Sequence, residues 1–435
     1  MDISIIAIGD ELLIGQVTDT NSGWIARHLS PLGWNVRSVR TVHDSQDAIL
    51  DAINEAFAQT DIVITTGGLG PTKDDITKPT LCKYFGGQLV HDPEVEQNLL
   101  DVLRRRHRDI NTYTAAQAMV PSSCRVIQNR VGTAPIMWFE KNGKVLVALP
   151  GVPFEMEHMM ESEVIPQLLA HFAPNDCIIH RTFVVVDYME SLLAMKLDEF
   201  ERSMPSNIHL AYLPKMGVIR LRLSGSSTDS SRLQSDIDML SNDLHKILGN
   251  AIISDEDKTM GEILGDHLRA QSLTVATAES CTGGYISHQI TAIPGSSDYY
   301  RGSIIAYSND VKRNLLGVSQ DDLNAHGAVS QPVVEQMCRG AAAALHTDCA
   351  IATSGIAGPG GGTPDKPVGT VWIAVAANGK VFSEKAHFPG SRDRVIDRAA
   401  THALTMLIKL LRTKPANLQN STLCTTFDTA NNSRN

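Results

Sequence analysis

The chain has 435 residues, with 38 Lys and Arg against 48 Asp and Glu and a net charge of −10. Its 43% hydrophobic and 20% charged residues suit a globular protein with length for about three domains. The acidic excess disfavours a general nucleic-acid binder, and no apolar run is long enough for a membrane-spanning helix.

The first segment, 1–172, opens with an apolar stretch that meets Asp10 and Glu11, which reads as a core strand rather than a signal peptide. Strands are expected at 3–8, 36–42, 61–66 and 144–149. Helices are expected at 22–29, at 48–57, entering near Asp74, and running through Glu155 and Met159. This alternation predicts a doubly wound α/β layer with ligands beyond the carboxyl ends of its strands. Three motifs stand at such ends: Gly9-Asp10-Glu11 continuing to Asn21, Gly67-Gly68-Leu69-Gly70-Pro71-Thr72-Lys73-Asp74-Asp75, and Pro150-Gly151-Val152-Pro153-x-Glu155. The glycines let a phosphorylated ligand approach the backbone, and Asp10, Asp74, Asp75 and Glu155 offer oxygens to a hard divalent cation. Equally, Asp74 and Asp75 would cap a helix and Asp10 would stabilise a turn.

The second segment, 173–255, shows strands at 182–186, 208–213 and 218–223 and helices at 190–200 and 233–248. This β-α-β-β-α order predicts a small α+β domain without a catalytic motif of its own. In the third, 256–414, a helix runs to Leu268, strands lie at 273–278, 350–353 and 370–376, and a last helix covers 393–411. The tail, 415–435, is rich in Asn, Ser and Thr and is expected to be disordered.

The third segment carries the clearest chemistry. Ala278-Glu279-Ser280-Cys281-Thr282-Gly283-Gly284 joins a strand to a helix, where a hydroxyl meets the positive end of the helix dipole. Ser280 is there a nucleophile or a simple cap. Lys312, in Tyr307-Ser308-Asn309-x-x-Lys312, is a general base if burial lowers its pKa, and otherwise a surface lysine. The run Thr353-Ser354-Gly355 and the glycines after it form an anion nest or a flexible connector. Arg392, Arg394 and Arg398 open the last helix, where cations oppose the dipole and suit phosphate, unless they form a solvated face with Asp393 and Asp397. Seven cysteines, odd in number and without C-x-x-C spacing, support neither a disulfide framework nor a zinc site; reduced thiols in a cytoplasm are expected. Cys281 is intrinsically the better nucleophile, but no matched His motif accompanies it.

Taken in order, AESCTGG, YSN-x-x-K, HGAVS, SGIAGP and KPVGTVW resemble the C-terminal domain of the CinA family, which is similar to nicotinamide-nucleotide amidases. The resemblance implies hydrolysis of nicotinamide mononucleotide (NMN) to nicotinate mononucleotide and ammonia, without a cofactor, in pyridine nucleotide salvage. Ser280 would form the acyl enzyme, Lys312 would be its base, and Tyr307 and Glu279 would orient the dyad or substrate. Backbone donors near Thr282 and Gly283, or in the Ser354 loop, would hold the oxyanion. Asn309, Thr353, Ser354 and Gly355 would line the substrate site, and Arg392, Arg394 and Arg398 would take the phosphate.

The motifs of the first segment resemble the N-terminal domain of the same family, related to the molybdopterin-binding fold. That resemblance implies a nucleotide site of Gly9, Asp10, Glu11, Asn21, Gly67, Gly68, Gly70, Thr72, Asp74, Asp75, Pro150, Gly151 and Glu155. It also implies an ADP-ribose pyrophosphatase using a divalent metal, magnesium or cobalt, with potassium, and with Asp10, Asp74 and Asp75 as ligands. The whole would be two three-layer α/β domains joined by a small α+β domain, a cytoplasmic homodimer acting on NMN and ADP-ribose, with no nucleic acid or membrane partner. The alternatives are a non-catalytic nucleotide or pterin binder and an interaction protein of competence or DNA damage. The chain departs from the family pattern in two places. Ile136 stands where glycine is usual, and Asp187-Tyr188-Met189-Glu190-Ser191 replaces a Gly-Ile-Gly-Glu-Ser turn, where a positive φ would now carry a cost.

Overall fold

The computed structural model describes residues 1–72, 75–172, 177–215 and 217–413. Asp74 and the tail 415–435 lie outside the described residues. The chain divides into two compact units: 1–180 with 205–208 and 224–239, and 181–204 with 209–223 and 240 onward.

The first unit contains β1 (Asp2–Ile8), β2 (Asn35–Val42), β3 (Ile62–Thr66), β4 (Leu89–His91), β5 (Met119–Pro121), β6 (Arg125–Ile127), β7 (Ile136–Lys141) and β8 (Lys144–Leu149). Its main sheet has the order β2-β1-β3-β8-β7-β6, while β4 and β5 pair separately. Successive residues of the central strands point to opposite faces, and both faces are covered. Ile3, Ile5, Ile62, Ile64, Val145 and Val147 pack with Trp24, Ile25, Met156 and Met159 from the helices Asn21–Leu29 and Pro153–Met159. Ile6, Ile8, Val63, Leu146 and Ala148 pack with Ile49, Ile53 and Leu81 from the helices Gln46–Gln59 and Thr77–Phe85. Burial on both faces is why these strands read as continuous apolar runs. The helix expected near Asp74 begins at Thr77.

The sheet is mixed. β2, β1, β3 and β8 run parallel, but β7 is antiparallel to β8 and β6 to β7. Asn142 and Gly143, with φ of 55° and 76°, make the two-residue hairpin that reverses the chain between β7 and β8. Ile136, at the departure from the family pattern, opens β7 as a fully buried residue.

The middle segment holds β9 (Cys177–Val185), β10 (Ile208–Lys215), β11 (Val218–Ser227) and β12 (Ile252–Ser254), in the order β10-β11-β9-β12, with the helices Glu190–Ser203 and Ser230–Leu248. The expected β-α-β-β-α order is present, with β12 added antiparallel to β9. Asp187 takes φ of 67°, a conformation Asp tolerates better than most residues, and its carboxylate pairs with the Lys409 ammonium. Val184, Val186, Val218 and Ile253 share one core cluster with Leu264, Leu404 and Leu407, so these stretches of β9, β11 and β12 and the loop after β9 belong with the second unit.

The second unit adds β13 (Val275–Glu279), β14 (Tyr300–Ile305), β15 (Cys349–Gly355), β16 (Thr370–Ala377) and β17 (Lys380–His387), in the order β14-β13-β15-β16-β17. β13 is parallel to β14 and β15, while β16 and β17 are antiparallel. A second Asn-Gly hairpin, Asn378-Gly379 with φ of 53° and 73°, joins the last two. One face carries Val275, Ile351, Ile373 and Val375 beneath the helices Met260–Gln271 and Arg392–Arg412. The other is almost all alanine (Ala276, Ala278, Ala350, Ala352, Ala374 and Ala376), and the helix Gln331–Leu345 packs on it. Among the described residues no helix is long and apolar enough to cross a membrane.

Candidate active site

β13 ends at Glu279, and the chain turns sharply at Ser280, whose N–H is held by the Thr353 carbonyl at 3.0 Å on the neighbouring strand. Lys312 lies on the helix Asn309–Leu316, which starts where β14 and its following loop end. Ser308 caps that helix, accepting from the Val311 N–H at 3.3 Å. Because β13 and β14 are parallel neighbours, the carboxyl end of one brings Ser280 to the helix that follows the other. Lys312 Nζ lies 3.0 Å from Ser280 Oγ, 2.7 Å from the Ala306 carbonyl and 3.2 Å from the Tyr307 carbonyl. The lysine is 1% exposed. Burial pushes its ammonium below the usual lysine value, against the opposing pull of the Cys281 sulfur.

Both residues line a cleft of about 200 Å³ with Tyr307, Asn309, Ser354, Gly355 and Arg392. Arg392 reaches across it, donating to the Gly358 carbonyl at 2.8 Å and to the Tyr307 hydroxyl at 3.2 Å. Ser354 Oγ donates to the Ala328 carbonyl at 2.7 Å, which anchors the 326–330 motif at the rim. Among the three arginines, only Arg392 lines this cleft. Arg394 lines a separate groove with Thr282, Gly283 and Tyr285, and Arg398 donates to the Pro389 carbonyl at 3.4 Å. The i,i+4 spacing of Arg394 and Arg398 puts them on a different face of the helix from Arg392.

Several predicted residues brace the turn rather than line the cleft. Glu279 is fully buried, and its carboxylate accepts from the N–H groups of Gly284 (3.0 Å), Ile286 (3.1 Å) and Ser287 (2.8 Å). It therefore caps the helix Tyr285–Thr291 from the end of the strand. The Gly283 N–H bonds to the Ser280 carbonyl at 3.2 Å, which commits this donor inside the turn. Thr282 and Thr353 join their hydroxyls at 2.7 Å beneath it. Cys281, by contrast, does line the cleft, but it is buried and burial pushes its thiol up to about 12, so very little of it is thiolate near neutral pH.

The motifs of the first unit also converge. Asn21 Nδ2 donates to Thr66 Oγ1 at 2.8 Å and to the Gly151 carbonyl at 2.9 Å, and Thr66 Oγ1 donates to the Pro150 carbonyl at 3.0 Å. Gly67 takes φ of 106°, and a Cβ on it would lie 2.0 Å from the Ile8 carbonyl oxygen. Gly67→Ala is therefore expected to lower stability by about 2–4 kcal/mol, read from urea unfolding. Asp75 accepts from the N–H groups of Gly70 (2.7 Å) and Thr72 (2.9 Å) and from the Thr72 hydroxyl, so it folds the loop. Asp10 accepts from His43 at 2.7 Å. Glu155 is buried against Asn129 Nδ2 at 2.9 Å, with Arg106 3.7 Å away; burial raises its pKa against both.

Among the described residues no three His, Cys, Asp or Glu side chains stand where they would hold a metal ion. Of the three expected ligands, Asp75 is engaged by its own loop and Asp10 by His43, while Asp74 lies outside the described residues. Asp44, which is not among the residues expected from the sequence, accepts from the Asp10 N–H at 3.0 Å. Its carboxyl is pushed up by burial, and further by the charges of Asp10, Glu11 and Asp75, against the pull of that hydrogen bond. Its signal was its place just past β2, which becomes informative only when β2 is known to lie beside β1.

Comparison with known proteins finds three family models along the chain. The CinA C-terminal domain matches residues 257–411, a probable molybdopterin binding domain matches 4–170, and the damage-inducible protein CinA KH domain matches 180–254. A CinA-like protein of Flavobacterium psychrophilum is 43% identical, over 94% of this chain and 98% of its own. One of Cytophaga hutchinsonii is 41% identical, over 94% and 97%. The crystal structure of a competence/damage inducible protein from Agrobacterium tumefaciens is 38% identical over 36% of this chain and 98% of that one, with a TM-score of 0.34. The chain belongs to the CinA family, with a molybdopterin-binding-like domain, a small KH-like domain and a CinA C-terminal domain.

Proposed function

We propose that the second unit hydrolyses the carboxamide of NMN to nicotinate mononucleotide and ammonia. The observation that carries this reading is the buried Lys312 amine 3.0 Å from Ser280 Oγ in a cleft that also presents Arg392. A neutral lysine amine has two N–H donors and one lone pair. The Ala306 and Tyr307 carbonyls can only accept, so they take the two N–H groups and leave the lone pair to Ser280. Ser280 Oγ attacks the carboxamide carbon as its proton passes to Lys312 Nζ. The tetrahedral intermediate breaks its C–N bond, and Lys312 returns that proton to the departing ammonia. Water then attacks the acyl ester, losing a proton to Lys312, which hands it to Ser280 Oγ as the acid leaves. Arg392 takes the phosphate, with Tyr307 holding its guanidinium. Arg392→Ala is accordingly expected to raise KM for NMN by about ten- to a hundredfold, with a smaller change in kcat. Ammonia release from NMN by the full chain tests the reading, which fails if none is released.

The first unit is read as a site for a phosphorylated nucleotide, supported by the tethered glycine loop 67–72 beside Asn21 and Gly151. Within that reading lies metal-dependent cleavage of ADP-ribose. AMP release with magnesium or cobalt and potassium, lost on chelation, would support it; binding without release would leave a nucleotide or pterin binder. The same reading makes the protein a cytoplasmic homodimer, whose mass sedimentation measures.

A further inference from the structure

Lys78 is used by neither of these readings. It sits on the helix Thr77–Phe85, is 8% exposed, and has no carboxylate partner among the described residues. Its Nζ donates to the Gln117 backbone carbonyl at 2.9 Å and to Gln117 Oε1 at 2.7 Å. Gln117 is itself 1% exposed, and its Nε2 donates to the Leu69 carbonyl at 2.9 Å. Thr77, next in the chain, donates its N–H to the Gly68 carbonyl at 3.3 Å and its hydroxyl to the Gly67 carbonyl at 3.4 Å. The lysine thus stands directly behind the glycine loop and is tied to it on two sides.

Burying a cation is costly unless something offsets its charge. Gln117 satisfies hydrogen bonds but carries no charge. Asp75 offsets part of the lysine's charge through its field, but it does not touch Lys78, its oxygens accepting instead from Gly70 and Thr72. Among the described residues the other titratable neighbour is the Cys124 thiol, itself faced by Asp92 and Cys82 and raised to about 12, so it is neutral near pH 8. No carboxylate among the described residues pairs directly with Lys78, and an anion on the loop would add counter-charge to it. We propose that Lys78 is a positioning cation for a phosphorylated ligand: held by Gln117 behind loop 67–72, it sets the positive potential in which the ligand's phosphate binds. The inference rests on the phosphorylated-ligand reading of the first unit.

A linkage follows. Burial holds free Lys78 down at about 8. A bound anion raises that value, so binding takes up a proton in the pH window just above 8, and affinity falls as pH rises through it. The test is titration calorimetry of the full chain with ADP-ribose at pH 8, with chelator present, in two buffers of different ionisation enthalpy. The pyrophosphate diester of ADP-ribose does not itself titrate there. The wild type is expected to take up a fraction of a proton. Lys78→Met should bind about tenfold more weakly without uptake, and its melting temperature should not fall, since an apolar side chain replaces a buried charge. Lys78→Arg keeps its charge at every pH, so it should restore affinity without restoring uptake. Wild-type binding without proton uptake, together with equal binding by Lys78→Met, overturns the inference while the ligand reading stands. No binding by the wild type overturns both.

Discussion

Ser280→Ala and Lys312→Met are each expected to lower ammonia release from NMN by about a thousandfold or more, while Cys281→Ala stays within a few-fold of the wild type. The first removes the attacking oxygen and the second removes the side-chain amine 3.0 Å from it. Losing either strands the other, so the double variant should be little worse than each single one. The pH profile carries the sign of the mechanism. Only the neutral amine accepts the Ser280 proton, so kcat/KM rises with pH as Lys312 loses its proton and then levels. Burial lowers that pKa, so the rise falls below the range of an exposed lysine. A profile that falls with rising pH would require a charged Lys312 and would remove it as the base. If Cys281→Ala is the dead variant instead, the nucleophile is the thiol, despite its raised pKa.

Glu279→Leu is expected to cost about 3–5 kcal/mol of stability, as measured by urea unfolding. The carboxylate is fully buried and accepts three backbone N–H groups of the turn and helix behind Ser280. Removing it leaves those three donors without their carboxylate partner. Glu279→Gln keeps one carbonyl oxygen and should cost roughly half as much. Activity per folded molecule should fall in parallel, because the turn that carries Ser280 loosens. A Glu279→Leu chain as stable as the wild type but inactive would mean that the carboxylate acts on the substrate, the role that family resemblance suggested for it.

The two hairpins show how a legible signal was passed over. Asn142-Gly143 and Asn378-Gly379 each lie between apolar runs, the spacing that favours a two-residue turn. Read that way, they would have revealed β7 and β17 and the mixed sheets. Asp187 carries the opposite lesson. Loss of glycine at this turn made a positive φ costly, yet Asp187 takes one, because Asp tolerates it and Lys409 holds the carboxylate.

The sequence by itself determined the buried strands, the glycine turns at their carboxyl ends and the three-part order of the chain. These are local properties: an apolar run, a missing Cβ, a capping residue. Only the tertiary structure decided which of the marked side chains meet. Ser280 and Lys312 are 32 residues apart and come together because β13 and β14 are parallel neighbours. Arg392 enters their cleft while Arg394 and Arg398 do not, because a helix distributes its residues around an axis. Glu279 turns inward because three N–H groups await it there. Burial, which lowers the pKa of Lys312 and leaves Lys78 without a carboxylate partner among the described residues, is a property of the packed molecule; neither residue's neighbours in the chain announce it.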